Sequence, residues 1–402
     1  VNIVKVIISV HGSDALKVFW NEWTKDKTAD TTTYRNTYKT TYKISRHTVE
    51  GCAEEIRNVL LELVKHCLKK DIESAAPILK KLAEKGNLLY QALFTKFGDE
   101  GEEDPHEIRD HLATLEDPFQ LDFLVSNLVL VPWGLIYPAD PDLLPASWEG
   151  TRNSERWEKY RDFWCFAHDA TTRYNREKEI EDASSLAMLR VIHPAVFEKA
   201  RNDIKSTSER NFIDWLDARY GIPLSTESSL KQTWRANAAN TGLLYFYCHA
   251  SAAKLAIGAN DSIPVHRLFL HLSDPKRKAP ECLLLINGCR TAVGDPRGSF
   301  MLPASTQGLC GFVGTETDVP DVFALRFSTS LLHLLFQRGK TLGEAMHCLY
   351  RDHFPLSLVY AVYAHRNFRM SQPEAPDIDE KTRANFSIGA IGTRWLEALH
   401  GN

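Results

Sequence analysis

Two segments in the first hundred residues repeat apolar side chains at helical spacing. Within Val49–Lys69 these are Cys52, Ile56, Val59, Leu60, Leu63, Val64 and Cys67; near Ser74–Phe97 they are Leu79, Leu82, Leu89, Leu93 and Phe94, with Pro77 tolerated in the first turn. Both predict amphipathic helices that bury one face. Upstream, Val4–Val10 is continuously apolar and reads as a strand, and the alternating Thr/Tyr-rich stretch Thr31–Ser45 predicts a hairpin or an extended strand. The run LDFLVSNLVLVPWGLIYP, from Leu121, reads as a strand pair ending at Trp133.

Beyond Leu186 the pattern changes. Leu186–His193, Leu243–His249, Cys282–Gly288, Leu309–Gly314 and Leu356–Ala364 are short, continuous apolar runs separated by helical segments. Strands buried on both faces of a parallel sheet have this appearance, so the predicted fold class is α/β, with a mostly parallel central sheet flanked by helices. Helices are expected at Val322–Arg338, stopped by Gly339, and at Leu342–Tyr350, opened by the capping-box spacing of Thr341 and Glu344. Between the two regimes, Glu155–Glu181 is charged and aromatic with no dominant period, which suggests a surface insertion or connecting segment. Phe97–Pro105 (acidic) and Pro138–Arg152 (rich in Pro and small residues) read as loops. The expected organisation is therefore 1–150, a connection over 151–185, and 186–402.

The 402 residues are 44% hydrophobic and 25% charged, and 48 Lys+Arg against 52 Asp+Glu leave a formal charge of -4. This is an ordinary globular composition without a cationic footprint for a phosphate backbone, so no direct nucleic-acid partner is expected. The eight cysteines are scattered and form no C-x-x-C pair, which favours reduced thiols in a cytoplasmic protein over a disulfide framework. No apolar run approaches the roughly 18 residues of a membrane span, so no membrane partner is expected. The opening Val1 suggests a trimmed or processed chain, and an N-terminal module outside this sequence is an expectation.

In an open α/β sheet, ligands sit beyond the carboxyl ends of the strands. Two such ends carry reactive groups: LLYFYCH finishes on His249, and CLLLINGC finishes on Cys289, about 40 positions later. That separation suits a strand, a crossover and a neighbouring strand, and neighbours lie about 4.8 Å apart. A thiol with an ordinary pKa of about 8.5 is mostly protonated at neutral pH, so an adjacent imidazole either stabilises the thiolate or takes its proton during attack. Cys289 is the candidate nucleophile and His249 the candidate base. The backbone N–H groups of Gly288, Cys289 and Ala250 are the candidate donors to an oxyanion. A third residue that orients the imidazole is not identifiable. The structural alternative makes Cys289 a small buried hydrophobe and His249 a hydrogen-bonded structural residue. Zinc held by some of Cys248, His249, Cys282 and Cys289 matches no paired-ligand spacing, so no metal and no cofactor are expected. A nucleotide site is equally remote, because the chain lacks a Walker-type or dinucleotide-binding glycine loop.

Six strings, in order, resemble the CHAT domain, a branch of the caspase-like cysteine peptidases that includes separase, gingipain and legumain. They are ILKKLAEKGNLLYQALF, LVPWGLIY, LLYFYCHA, LLLINGCRTA, GLCGFVGTETDVPDVFALRFSTSLLHLLFQRGKTLGEAM and PLSLVYAVY, spanning about residues 75 to 365. The resemblance implies a caspase-like fold with an N-terminal pseudo-caspase half that regulates or holds a partner. It also implies a catalytic half in which His249 is the base and Cys289 the nucleophile. Where the family commonly has Gly after the histidine, this chain has Ala250, which keeps the N–H but tolerates positive φ less well. The loop Gly314–Asp321 matches the family's loop after the next strand; its Glu316, Asp318 and Asp321, with Asn287, are the expected substrate-pocket residues, suited to a basic side chain. Similar bacterial domains act in defence or programmed cell death, switched on by a sensor or activator and cutting one protein, such as gasdermin-like or CRISPR-associated partners. The expected function is thus a cysteine endopeptidase that cleaves a protein substrate. The alternative is an inactive caspase-like scaffold that binds a protein partner. Activation through the acidic loop Gly98–Pro105 or the aromatic segment Trp157–Tyr174 is a further expectation.

Overall fold

The computed structural model describes residues 4–11, 15–26, 33–69, 72–94, 120–125, 130–167, 169–173, 182–272, 282–293, 299–300 and 309–378. The acidic loop 98–105 lies outside them. Two five-stranded sheets organise the chain. In the first, β1 (Val4–His11), β4 (Gln120–Val125) and β5 (Asp169–Arg173) run parallel, and β2 (Ala15–Asp26) and β3 (Thr33–Ser45) extend the sheet antiparallel, in the order β3-β2-β1-β4-β5. The Thr/Tyr-rich alternation thus becomes β3, one arm of a pair whose other arm the sequence reading did not single out.

Helices α1 (Arg46–Lys69) and α2 (Ala76–Phe94) pack against each other. They bury the predicted stripes: Ile56, Leu60, Leu63, Val64 and Cys67 from one, and Leu79, Leu82, Leu89 and Leu93 from the other.

The second sheet has the order β13-β12-β11-β7-β6. Strands β6 (Ala187–Ile192), β7 (Thr241–Tyr247), β11 (Leu283–Asn287) and β12 (Gly311–Thr315) are parallel, and β13 (Tyr360–Ala364) closes one edge antiparallel. Every residue of β7 and β11 is buried, which is why these strands read as unbroken apolar runs. Helices α3 (Pro194–Asp203), α4 (Thr207–Tyr220), α5 (Glu227–Asn237), α6 (Val265–Leu272), α7 (Asp321–Phe336) and α8 (Leu342–Asp352) flank the sheet. The fold is mixed α/β with a mostly parallel central sheet, as the apolar pattern predicts. Helix α7 packs on α3, α4 and α8 and is buried along nearly its whole length. Gly339, at φ 59°, ends that region, and the Thr341/Glu344 capping box opens α8 with reciprocal bonds of 3.2 and 2.8 Å.

Four local expectations differ from the structure. The second strand of the pair expected over LDFLVSNLVLVPWGLIYP lies partly outside the described residues; from residue 130 the chain belongs to no strand and enters a 3-10 turn at Trp133–Leu135, where Pro132 offers no N–H to a ladder. The run from Leu356 begins as a 3-10 turn, Leu356–Val359, and becomes β13 only at Tyr360, because an apolar run alone does not separate a buried turn from a strand. The aromatic stretch expected on the surface turns inward. Tyr160, Phe163, Trp164 and Phe166 are buried, and Tyr160 and Phe166 contact Phe354 with ring centroids 5.5 and 5.8 Å apart, since large rings gain most where water is excluded. Finally, β7 stops at Tyr247, and His249 opens a small antiparallel sheet of β8 (His249–Ser251), β9 (Lys254–Ala256) and β10 (Ser262–Pro264). Among the described residues, no helix is long and apolar enough to cross a membrane.

Candidate active site

Strand register decides which side chains meet. β7 and β11 are adjacent and parallel, with Tyr247 opposite Asn287 at their last paired position. His249 and Cys289 each follow two residues later, so both leave the carboxyl edge of the sheet at the same level. The turns that carry them are pressed together. Cys248 N–H donates to Asn287 O at 3.4 Å, and a Cβ on Gly288 would stand 2.7 Å from Ala250 Cβ and 2.8 Å from Cys248 O. Only glycine fits at 288, and its lack of a side chain sets how closely the two turns approach. Ala250 sits within β8, outside the left-handed region. Among the described residues the one non-glycine with φ in that region is Arg290, at 53°, immediately after Cys289. Such a conformation costs an arginine about 1–2 kcal/mol, and the surroundings hold it: Arg290 N–H donates to Thr317 O at 3.1 Å, and its Nε pairs with Asp318 Oδ1 at 3.0 Å. That N–H is therefore committed, unlike the role assigned to those of Gly288 and Cys289.

His249 is exposed and Cys289 partly so. The Cys289 thiol donates to Val319 O, 3.8 Å away, and not to the imidazole. Burial, reinforced by the Asp318 carboxylate, pushes the thiol up to about 12. A thiol so raised favours its protonated form at neutral pH, so attack requires a base at the moment of reaction. Cys248 and Cys282 are enclosed in the core, and burial raises both thiols as well.

The expected pocket residues divide. Asp318 and Asp321 stand near the thiol, each acting on it electrostatically; Asp318 holds Arg290, and Asp321 pairs with Lys199 at 3.6 Å. Asn287 is interior instead. Its Nδ2 donates to Ala324 O at 2.6 Å and its Oδ1 accepts from the Tyr360 hydroxyl at 2.6 Å, so both ends are occupied in bracing β11. Glu316 is likewise buried, accepting from Arg57 Nε at 2.8 Å and from the Tyr363 hydroxyl at 2.7 Å. It ties α1 to the loop that follows β12.

Sequence reasoning passed over His193. It follows β6, the other neighbour of β7, with Ile192 opposite Tyr247 and its own N–H donated to Tyr247 O at 2.9 Å. Its ring meets that of His249 edge to face, with centroids 5.9 Å apart. The signal was present as a third strand end bearing an imidazole, followed by the proline that opens a helix. A cavity of about 320 Å³ lies elsewhere, between Trp133 and Phe166 on one side and Met346, Tyr350 and Tyr363 on the other; neither Cys289 nor His249 lines it.

No protein-family model matches the chain, that of the CHAT domain included, and no curated protein matches it. Among solved structures, it is similar to two crystal structures of the Saccharomyces cerevisiae separase–securin complex. The identity is 11% in both, with TM-scores of 0.42 and 0.44. The similarity covers 91% of this chain but 30% of the other, so the chain spans about a third of that protein's length.

Proposed function

We propose that this chain is a cysteine endopeptidase of the caspase-like, CHAT-domain kind, with Cys289 as nucleophile and His249 as general base. The observation that carries the reading is the equal-level exit of these two residues from adjacent parallel strands, with Gly288 allowing their turns to touch. Cys289 Sγ attacks the scissile carbonyl carbon as its proton passes to His249. The oxyanion meets the N–H groups of Ala250, Gly288 and Cys289. The C–N bond then breaks, and His249 returns the proton to the departing amine, leaving a thioester. A water molecule deprotonated by His249 attacks that thioester, and collapse releases the acid and restores the thiol. Asp318 and Asp321, which now hold Arg290 and Lys199, are the carboxylates near the thiol for which a basic substrate side chain would compete.

The substrate in this proposal is one dedicated protein partner, cut in a bacterial defence or regulated cell-death pathway after a sensor or activator has engaged the N-terminal half, residues 1–150, with residues 186–402 as the catalytic half. The thiol turned to Val319 O suits such a resting state.

The Cys289 thiol donating to Val319 O favours a second reading, a catalytically silent scaffold that binds a protein partner. Hydrolysis of benzyloxycarbonyl-lysine 4-nitrophenyl ester separates the two. The peptidase releases 4-nitrophenol with turnover that Cys289→Ala abolishes and His249→Ala reduces by at least about a hundredfold. Because this activated ester asks little of the nucleophile, the resting peptidase turns it over without an activator; turnover equal in the wild type and Cys289→Ala, or none above buffer, leaves the scaffold.

A further inference from the structure

The peptidase reading lacks a group to hold the imidazole. His249 is exposed, and an exposed side chain samples several rotamers, of which only some aim a ring nitrogen at Cys289. The strand order gives β7 two neighbours, β11 with Cys289 on one flank and β6 with His193 on the other. From the geometry we infer that His193 is a positioning residue: its ring forms a wall on the far side of His249 and confines that imidazole to orientations facing Cys289. This inference rests on the peptidase reading and adds the missing third member of its site.

Three features hold the wall in place. His193 is the N-cap of α3, its Nδ1 accepting from Val196 N–H at 3.4 Å, so the ring is fixed to the first turn of a helix. That acceptor role puts the proton of the neutral ring on Nε2. Its backbone is tied to β7 by the 2.9 Å bond to Tyr247 O. Its ring presents to His249 in an edge-to-face contact at 5.9 Å, a geometry in which the positive edge of one ring meets the face of the other. Burial, with His249 as the next cause, lowers the pKa of His193, which keeps it neutral beside an imidazole that becomes cationic during turnover. Asp321, paired to Lys199 of α3, acts in the opposite direction on the same ring.

The two roles of His193, cap and wall, are separable by substitution. Asparagine is a strong N-cap without a ring, and phenylalanine is a ring without a cap. With benzyloxycarbonyl-lysine 4-nitrophenyl ester as the probe, His193→Asn is expected to lower kcat about ten- to a hundredfold with KM within about twofold, since misaimed catalytic groups cost rate more than binding. His193→Phe is expected to recover most of that loss. Because the residue acts through His249, His193→Asn in a His249→Ala background should slow turnover no further. Wild-type kcat in His193→Asn reduces the residue to a helix cap and overturns the inference. So does a loss in the double variant equal to the product of the single losses. Wild-type turnover in His249→Ala alone is a different failure, of the dyad itself.

Discussion

Arg57 and Glu316 join the first helix to the loop beside the nucleophile, and removing one partner tests how much of the site depends on that joint. Arg57 is 11% exposed and Glu316 1%. Nε of Arg57 meets Oε2 of Glu316 at 2.8 Å, and Nη2 donates to Leu130 O at 2.6 Å. Arg57→Met keeps the apolar stem but strands a buried carboxylate with the Tyr363 hydroxyl as its remaining side-chain donor. Stranding one member of a buried pair costs about 3–5 kcal/mol, whereas replacing both by apolar groups is often close to neutral. Urea denaturation should therefore show Arg57→Met destabilised by about 3–5 kcal/mol at unchanged m-value, and Arg57→Met/Glu316→Met recovering about 2 kcal/mol or more. The loop from Glu316 leads directly to Val319, whose carbonyl holds the Cys289 thiol, so ester turnover should change in the single variant as well. An Arg57→Met protein within about 0.5 kcal/mol of wild type, or a double variant as unstable as the sum of its parts, refutes this account of the joint.

Further outcomes follow from the same coordinates. Gly288→Ala forces a Cβ against Cys248 O and Ala250 Cβ, both under 3 Å, and should cost about 1–3 kcal/mol and at least about tenfold in ester turnover; unchanged turnover contradicts the close approach of the two turns. The raised Cys289 thiol holds little thiolate below pH 9. Allowing for the greater nucleophilicity of a more basic thiolate, iodoacetamide should alkylate it about 50- to 100-fold more slowly than free cysteine at pH 7. The rate should keep climbing beyond pH 9, where an ordinary thiol levels off; a plateau near neutrality contradicts the protonated resting state. Thr341→Ala removes the cap of α8 and should cost about 1 kcal/mol with turnover intact, a control for variants that act only through stability.

The scaffold of this site was largely legible in the sequence. The stripes of α1 and α2 and the capping box of α8 are local signals, and the apolar runs of β7 and β11 report burial on both faces, so the strand ends that carry His249 and Cys289 could be read directly. The residues that set the site's electrostatics could not. Glu316 looks like a loop carboxylate until Arg57, 259 positions away, is seen to face it. Asn287 looks like a pocket amide until Tyr360 and Ala324 are found on either side of it. His193 passed for the last residue of a strand because its importance comes from β6 lying beside β7, and a linear pattern does not state strand order. The three-residue strands β8–β10 are too short to show any period.

Side-by-side placement of nucleophile and base is most directly tested by a cross-link that needs neither substrate nor activator. A disulfide forms only where the two Cα atoms lie about 4.4–6.8 Å apart. His249→Cys, made in a Cys248→Ala background and mildly oxidised, should give a protein in which peptide mapping finds Cys289 bonded to the new cysteine. If both thiols stay free, or the new cysteine pairs elsewhere, the two strand ends do not meet and the peptidase assignment fails with them.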